Sequence, residues 1–207
     1  MYEKDNSLGP EIKGITDGFM SIDEFSKTPM CVSCAPFYLF KRDFFINNDL
    51  FFHEGVFHED LEFIAKMKMI CKSIYVCTST LYYYLVRTTG SISTTVNIKR
   101  SYDCLLIVDE LENFKNNRAK SLKEKIVVNR SIAFIIIHSL LLLMNSYGSD
   151  NKDVGSFIEV ASSKITIRKF GHLLFHYKFS PYLIVCLICI FVSPRFFLYL
   201  YSSIKSR

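Results

Sequence analysis

Glu59 and Asp60 are adjacent carboxylates standing where a loop turns into a helix. The loop reads Phe51-Phe52-His53-Glu54-Gly55-Val56-Phe57-His58. Gly55 lets the chain bend there. Leu61, Phe63, Ile64, Met67 and Ile70 follow at spacings that one side of a helix can gather. The first turn of a helix carries unpaired N–H groups and a partial positive charge. A carboxylate placed there is expected to be held ionised, as a general base must be. The same pair would also suit the first turn of an ordinary surface helix, where acidic residues are enriched.

Cysteine is the second candidate chemistry. Seven are present, with Cys31 and Cys34 forming one C-x-x-C and Cys186 and Cys189 another. The two pairs lie about 150 residues apart with no histidine at ligand spacing, so a zinc site is not expected. An odd count without a cleavable signal peptide points to reduced thiols in a cytosolic compartment.

The carboxylates need elements to hold them. Ser21 with Glu24 has capping-box spacing and predicts a short helix over 22–26. Residues 30–40 are apolar and rich in β-forming types, which predicts a strand. Residues 41–48 read as a short helix stopped by Asn47-Asn48-Asp49, and residues 50–52 as extended. The carboxylate helix should run from Glu59 to about Lys72, with strands over 73–77 and 81–86. Tyr82, Tyr83 and Tyr84 could stack on a base or sugar. The preferred reading is that Tyr82 and Tyr84 pack the core while Tyr83 faces solvent. Helices are expected from Lys99 to about Asn116 and from Ser121 to Asn145. The apolar part of the second is broken by His138 and Ser139 and looks too short to cross a bilayer, so it reads as a buried helix with His138 as a satisfied core histidine.

Residues 147–155 form a polar break and the best boundary in the chain, with a further helix expected over 157–167. Arg168, Lys169, His172, His176 and Lys178 then sit among Phe170, Leu173, Leu174, Phe175 and Phe179, the pattern of a basic amphipathic helix on a membrane surface. Residues 182–192 are uninterruptedly apolar, and Pro194 and Arg195 break the run before it resumes. Arg195 argues against a span, so attachment in the membrane plane is the preferred reading, with docking on the protein's own core as the alternative. The 207 residues include 19 Phe and no Trp, and carry a net charge of +5. That excess suits an anionic substrate or a cytoplasmic membrane face and is too small to indicate nucleic acid.

The segment from Phe52 to Phe63 resembles the F-x-E-G-x-x-x-E-D-x-x-F signature of family 2 glycosyltransferases, in the subgroup that builds capsules, O-antigens and exopolysaccharides. Ala35 to Phe45 resembles that family's strand and helix start, and Ser73 to Val76 its next strand. Leu81 to Ser93 resembles its Y-x-Y-x-x-R-x-x-S stretch, with one extra residue between Arg87 and Ser91. The likeness is close over about residues 30–95. It implies an α/β fold, a partial GT-A domain over residues 1–97, followed by a helical extension over 98–147 and a basic, apolar and membrane-associating helical tail over 148–207. It implies transfer of a sugar from a nucleotide-diphospho-sugar to a hydroxyl of a glycan or lipid-linked acceptor, on the inner face of the cell membrane. Asp60 would be the catalytic base and Glu59 its support. Arg87, Ser91, His58 and Tyr84 would contact substrate, with Arg87 and Ser91 closing over the diphosphate. The family also uses a divalent cation, Mg or Mn, held by an Asp-x-Asp motif within a preceding nucleotide-binding half. No Asp-x-Asp occurs in this sequence. The expectation is therefore the acceptor-side part of such an enzyme, truncated or split from an upstream-encoded donor half.

Overall fold

The computed structural model describes residues 15–26, 33–83, 97–146, 152–164 and 193. Among these the protein is mostly helical with one small two-stranded sheet. Strand β1, Gly18–Ser21, pairs antiparallel with β2, Ser73–Val76, in the register Gly18 to Val76 and Ser21 to Ser73. Phe19 and Tyr75 face each other on the outer side with ring centroids 5.2 Å apart, while Val76 is buried. Helix α1, Ile22–Phe25, follows β1 directly, and its Ser21–Glu24 capping box is formed as expected.

Two expected strands are corrected. Residues 33–40 contain no strand; Ala35–Phe37 is instead a single 3-10 turn with Pro36 inside it. Proline has no N–H to give to a ladder and its fixed φ suits a turn. Residues 81–83 carry no strand either, and the rest of that expected strand lies outside the described residues.

Helix α2, Arg42–Asn48, ends where the Asn-Asn-Asp run put its stop, with Asp49 in a left-handed conformation (φ 53). Helix α3, Glu59–Ile70, is buried on nearly every side rather than along one stripe. It lies between two apolar clusters. Phe63, Ile64 and Met67 join Leu50, Tyr38, Phe40, Phe44 and Phe45, while Leu61, Ala65 and Met69 join the larger cluster. Its charged residues are accommodated by pairing, as where buried Glu62 meets Lys66 and His53. The larger cluster is built by α4, Lys99–Arg118, α5, Leu122–Ser146, and α6, Lys152–Ser163. Ile107, Leu111, Ile132, Ile135 and Phe157 are among its most buried members. This core joins α3 to the later helices across residue 97, and α6 to α4 and α5 across residue 147. Helix α6 begins inside the polar stretch 147–155.

Helix α5 keeps its expected bounds to within a residue at each end, but its apolar part is longer than expected. Leu122–Leu143 is by length and composition long and apolar enough to cross a membrane, because the helix runs on through His138 and Ser139. Ser139 is accommodated by donating its hydroxyl to the Ile136 carbonyl at 2.6 Å. Its apolar stretch is 61% buried against the rest of the protein, and we read it as the core helix of the bundle.

Candidate functional site

The loop into α3 takes its shape from two residues at positive φ, Gly55 (φ 78) and His58 (φ 65, ψ 33). For a residue with a Cβ the left-handed region costs roughly 1–2 kcal/mol. His58 occupies the N-cap position yet gives no side-chain cap. Its carbonyl accepts the Leu61 N–H at 2.9 Å, which closes the first turn. The loop is tied to the start of α4. Asp103 accepts the Phe57 N–H at 2.7 Å and Lys99 Nζ at 2.5 Å, and Lys99 also donates to the Gly55 carbonyl at 2.9 Å. The Lys99 ammonium lies 5.1 Å from the centre of the Phe57 ring, a cation–π contact.

Behind this loop the His58 ring meets His138 of α5 edge-on, with centroids 5.1 Å apart, and His138 stacks on Phe134 at 6.1 Å. His58 Nε2 is buried without a hydrogen-bond partner. Burial, His138 and Arg100 hold the His58 imidazole neutral, with its pKa lowered to about 4; only Asp103 acts the other way. The pKa of His138 is lowered too, by burial and then Arg100.

Asp60 is half-buried and Glu59 exposed. The pKa of Asp60 is raised to about 6, first by burial and then by the Glu59 carboxylate, against the pull of the Leu61 and Asp60 amides. This corrects the expectation that the helix start would hold Asp60 firmly ionised. The N-terminal amides do stabilise the charge, but lost hydration and a like charge next door outweigh them. Asp60 adds to burial in raising the Cys34 and Cys104 thiols, Cys104 to about 12. Both are free thiols, with Cys104 fully buried.

Arg87, Ser91 and Tyr84 lie outside the described residues, so of the expected site residues the structure brings together Glu59, Asp60 and His58. Tyr82 and Tyr83 are both exposed, where Tyr82 had been expected in the core; Tyr82 rests edge-on against Phe37 at 6.0 Å. Cys31, Cys186 and Cys189 also fall outside. Among the described residues no three His, Cys, Asp or Glu side chains gather to hold a metal. A cation of the magnesium type needs several oxygen ligands. The described acidic and thiol groups around Asp60 are an exposed carboxylate and two thiols whose burial disfavours the thiolate, which do not make that site.

Several residues of this neighbourhood escaped the sequence reading. Glu62 is buried one turn into α3, accepts from His53 Nδ1 at 3.0 Å and pairs with Lys66. Lys99 and Asp103 stand at i,i+4 spacing, a pairing visible in the sequence, but nothing there showed that they would clamp residues 55–57. The fold and site thus define a mostly helical protein with a part-desolvated carboxyl at the start of its central helix. No family model, curated protein or solved structure matches the chain.

Proposed function

We propose that this chain is the acceptor-side part of a family 2 type glycosyltransferase, with a partial GT-A fold, acting in bacterial surface polysaccharide synthesis. The observation that carries this reading is the Asp60 carboxyl, half-buried on the first turn of α3 with its pKa raised to about 6. A base whose pKa lies near the working pH is largely ionised there and still takes up a proton readily. In the proposed reaction an acceptor hydroxyl oxygen attacks the anomeric carbon and the bond to the nucleotide diphosphate breaks. The hydroxyl proton passes to Asp60. Glu59 supports Asp60 by raising its proton affinity. His58, Tyr84, Arg87 and Ser91 are proposed on the substrate side, Arg87 as a fixed charge for the diphosphate. Nucleotide-sugar binding and any Mg or Mn ion are assigned to a separate donor half. The basic and apolar residues 165–207 would attach the protein to the inner face of the cell membrane, beside a glycan or lipid-linked acceptor.

The test is reconstitution. The chain is combined with a candidate donor half encoded upstream and assayed for nucleotide release from a panel of nucleotide-sugars with membrane-extracted acceptor. Turnover that is lost in Asp60→Asn is the expected result. A mixture that binds nucleotide-sugar but never transfers, with either side chain at position 60, sinks the proposal. The absence of an Asp-x-Asp from the sequence favours a second reading, a non-catalytic glycosyltransferase-like binding protein. Donor-sugar hydrolysis by this chain alone would eliminate that one.

A further inference from the structure

His138 is far from the candidate site in sequence and sits in the middle of α5, yet its ring packs edge-on against His58, two residues before Asp60. His58 is the residue held left-handed at the start of α3. Such a conformation persists when its surroundings hold it, and it is found where a local direction of the chain matters. On the loop side the surroundings are known: Lys99 and Asp103 hold Gly55 and Phe57. At His58 itself the contact is the His138 ring, fixed in turn by Phe134. The His58 carbonyl closes the first turn through the Leu61 N–H, and that same amide bears on the Asp60 carboxyl. The backbone at residue 58 and the surroundings of Asp60 therefore move together.

We propose that His138 is a positioning residue for Asp60: its imidazole, packed against His58, holds the left-handed turn from which α3 starts and so keeps the Asp60 carboxyl in its part-desolvated place. The role needs a ring of this shape rather than a charge. Both imidazoles are disfavoured as cations, with Arg100 beside them and Asp103 already engaged by Lys99 and the Phe57 amide. The other titratable groups around the turn are Glu59 and Asp60 on α3, Cys104 on α4 and Cys34 before the 3-10 turn. The catalytic meaning of this positioning rests on the reading of Asp60 as a base; the positioning itself does not.

The experiment follows the Asp60 carboxyl directly, by carbon NMR of the full chain labelled at aspartate, the signal being assigned by its loss in Asp60→Asn. The expected midpoint is about 6 in the parent protein. His138→Ala should move it down by about one pH unit or more, toward the ordinary 3.8. His138→Phe keeps a ring at the contact and should leave it in place. A histidine that merely stabilises the bundle would lower the melting temperature without moving the midpoint. A folded His138→Ala with the parent midpoint overturns the proposal. If His138→Ala does not fold, His58→Ala decides, because it removes the other ring of the pair while keeping the Cβ that disfavours the left-handed turn. A lowered midpoint there supports the positioning role and an unchanged one overturns it. None of these readings requires sugar transfer, so failure of the reconstitution assay leaves them standing.

Discussion

Replacing Asp60 by asparagine should stabilise the protein at pH 8 and have little effect at pH 4. The carboxyl has its pKa raised in the folded state from 3.8 to about 6. The folded protein therefore holds this proton more tightly than the unfolded chain does. As pH rises through 3.8 to 6 the unfolded chain ionises at once, whereas the folded one must carry a charge it hydrates poorly. Stability is lost across that window and stays lost above it. Moving a carboxyl midpoint over that interval corresponds to about 3 kcal/mol. Solvent still reaches a good part of the group, so we halve the figure to about 1.5 kcal/mol for screening. For a protein of this size that is a rise of ~3–6 °C in melting temperature. Asparagine keeps the shape and removes the charge. Urea unfolding followed by circular dichroism, for parent and variant at pH 4 and pH 8, measures the difference. His58 contributes with opposite sign: its pKa is lowered from 6.5 to about 4, so its share of stability is lost as pH falls through that range. That slope is common to both proteins and cancels in the comparison. An asparagine variant no more stable than the parent at pH 8, or equally stabilised at both pH values, refutes the reasoning.

Three other substitutions probe the framework. Glu62→Ala removes a buried carboxylate from between His53 and Lys66 and should cost ~3 kcal/mol in urea unfolding, because Lys66 loses its paired charge; a cost under ~1 kcal/mol contradicts the pairing. Asp103→Ala leaves the Phe57 amide and Lys99 without their acceptor and should cost ~1–3 kcal/mol, with faster hydrogen exchange at the Phe57 amide as its local signature. Ile132→Ala empties a fully buried position of the main core and should cost ~2–5 kcal/mol by thermal or urea unfolding.

Local rules carried as far as local physics reaches. The Ser21–Glu24 box, the stop at Asp49 and the starts of α3 and α4 depend on residues within a turn of one another, and each was legible. Strand β1 was not. Its four residues pair with Ser73–Val76, more than fifty positions on, and a strand that opens on glycine carries little local β signal. The expected strand over residues 30–40 gave too much weight to apolar content and too little to Pro36. Asp60 was legible as a position and misjudged as a charge. The sequence displays the helix start that stabilises a carboxylate, but not the packing that takes its water away. Lys99, Asp103 and His138 belong to helices whose approach to the loop is set by the core, so no spacing rule could join them to it.

Residues 58 and 60 invert the ordinary order of their side chains, the histidine losing its proton near pH 4 and the aspartate near pH 6. Between those values both are mostly uncharged, and at neutral pH only Asp60 carries charge. If Asp60 is the base, kcat/KM of the reconstituted enzyme should fall below about pH 6 as the carboxyl takes up its proton. A limb at that pH invites assignment to a histidine, since an unperturbed imidazole titrates close by. The variants separate the two cases. In His138→Ala the carboxyl midpoint is expected to drop, and a limb that belongs to Asp60 must drop with it by the same interval. A limb that stays near pH 6 while the NMR midpoint of Asp60 moves would show that some other group takes the proton, whatever the carboxyl's burial.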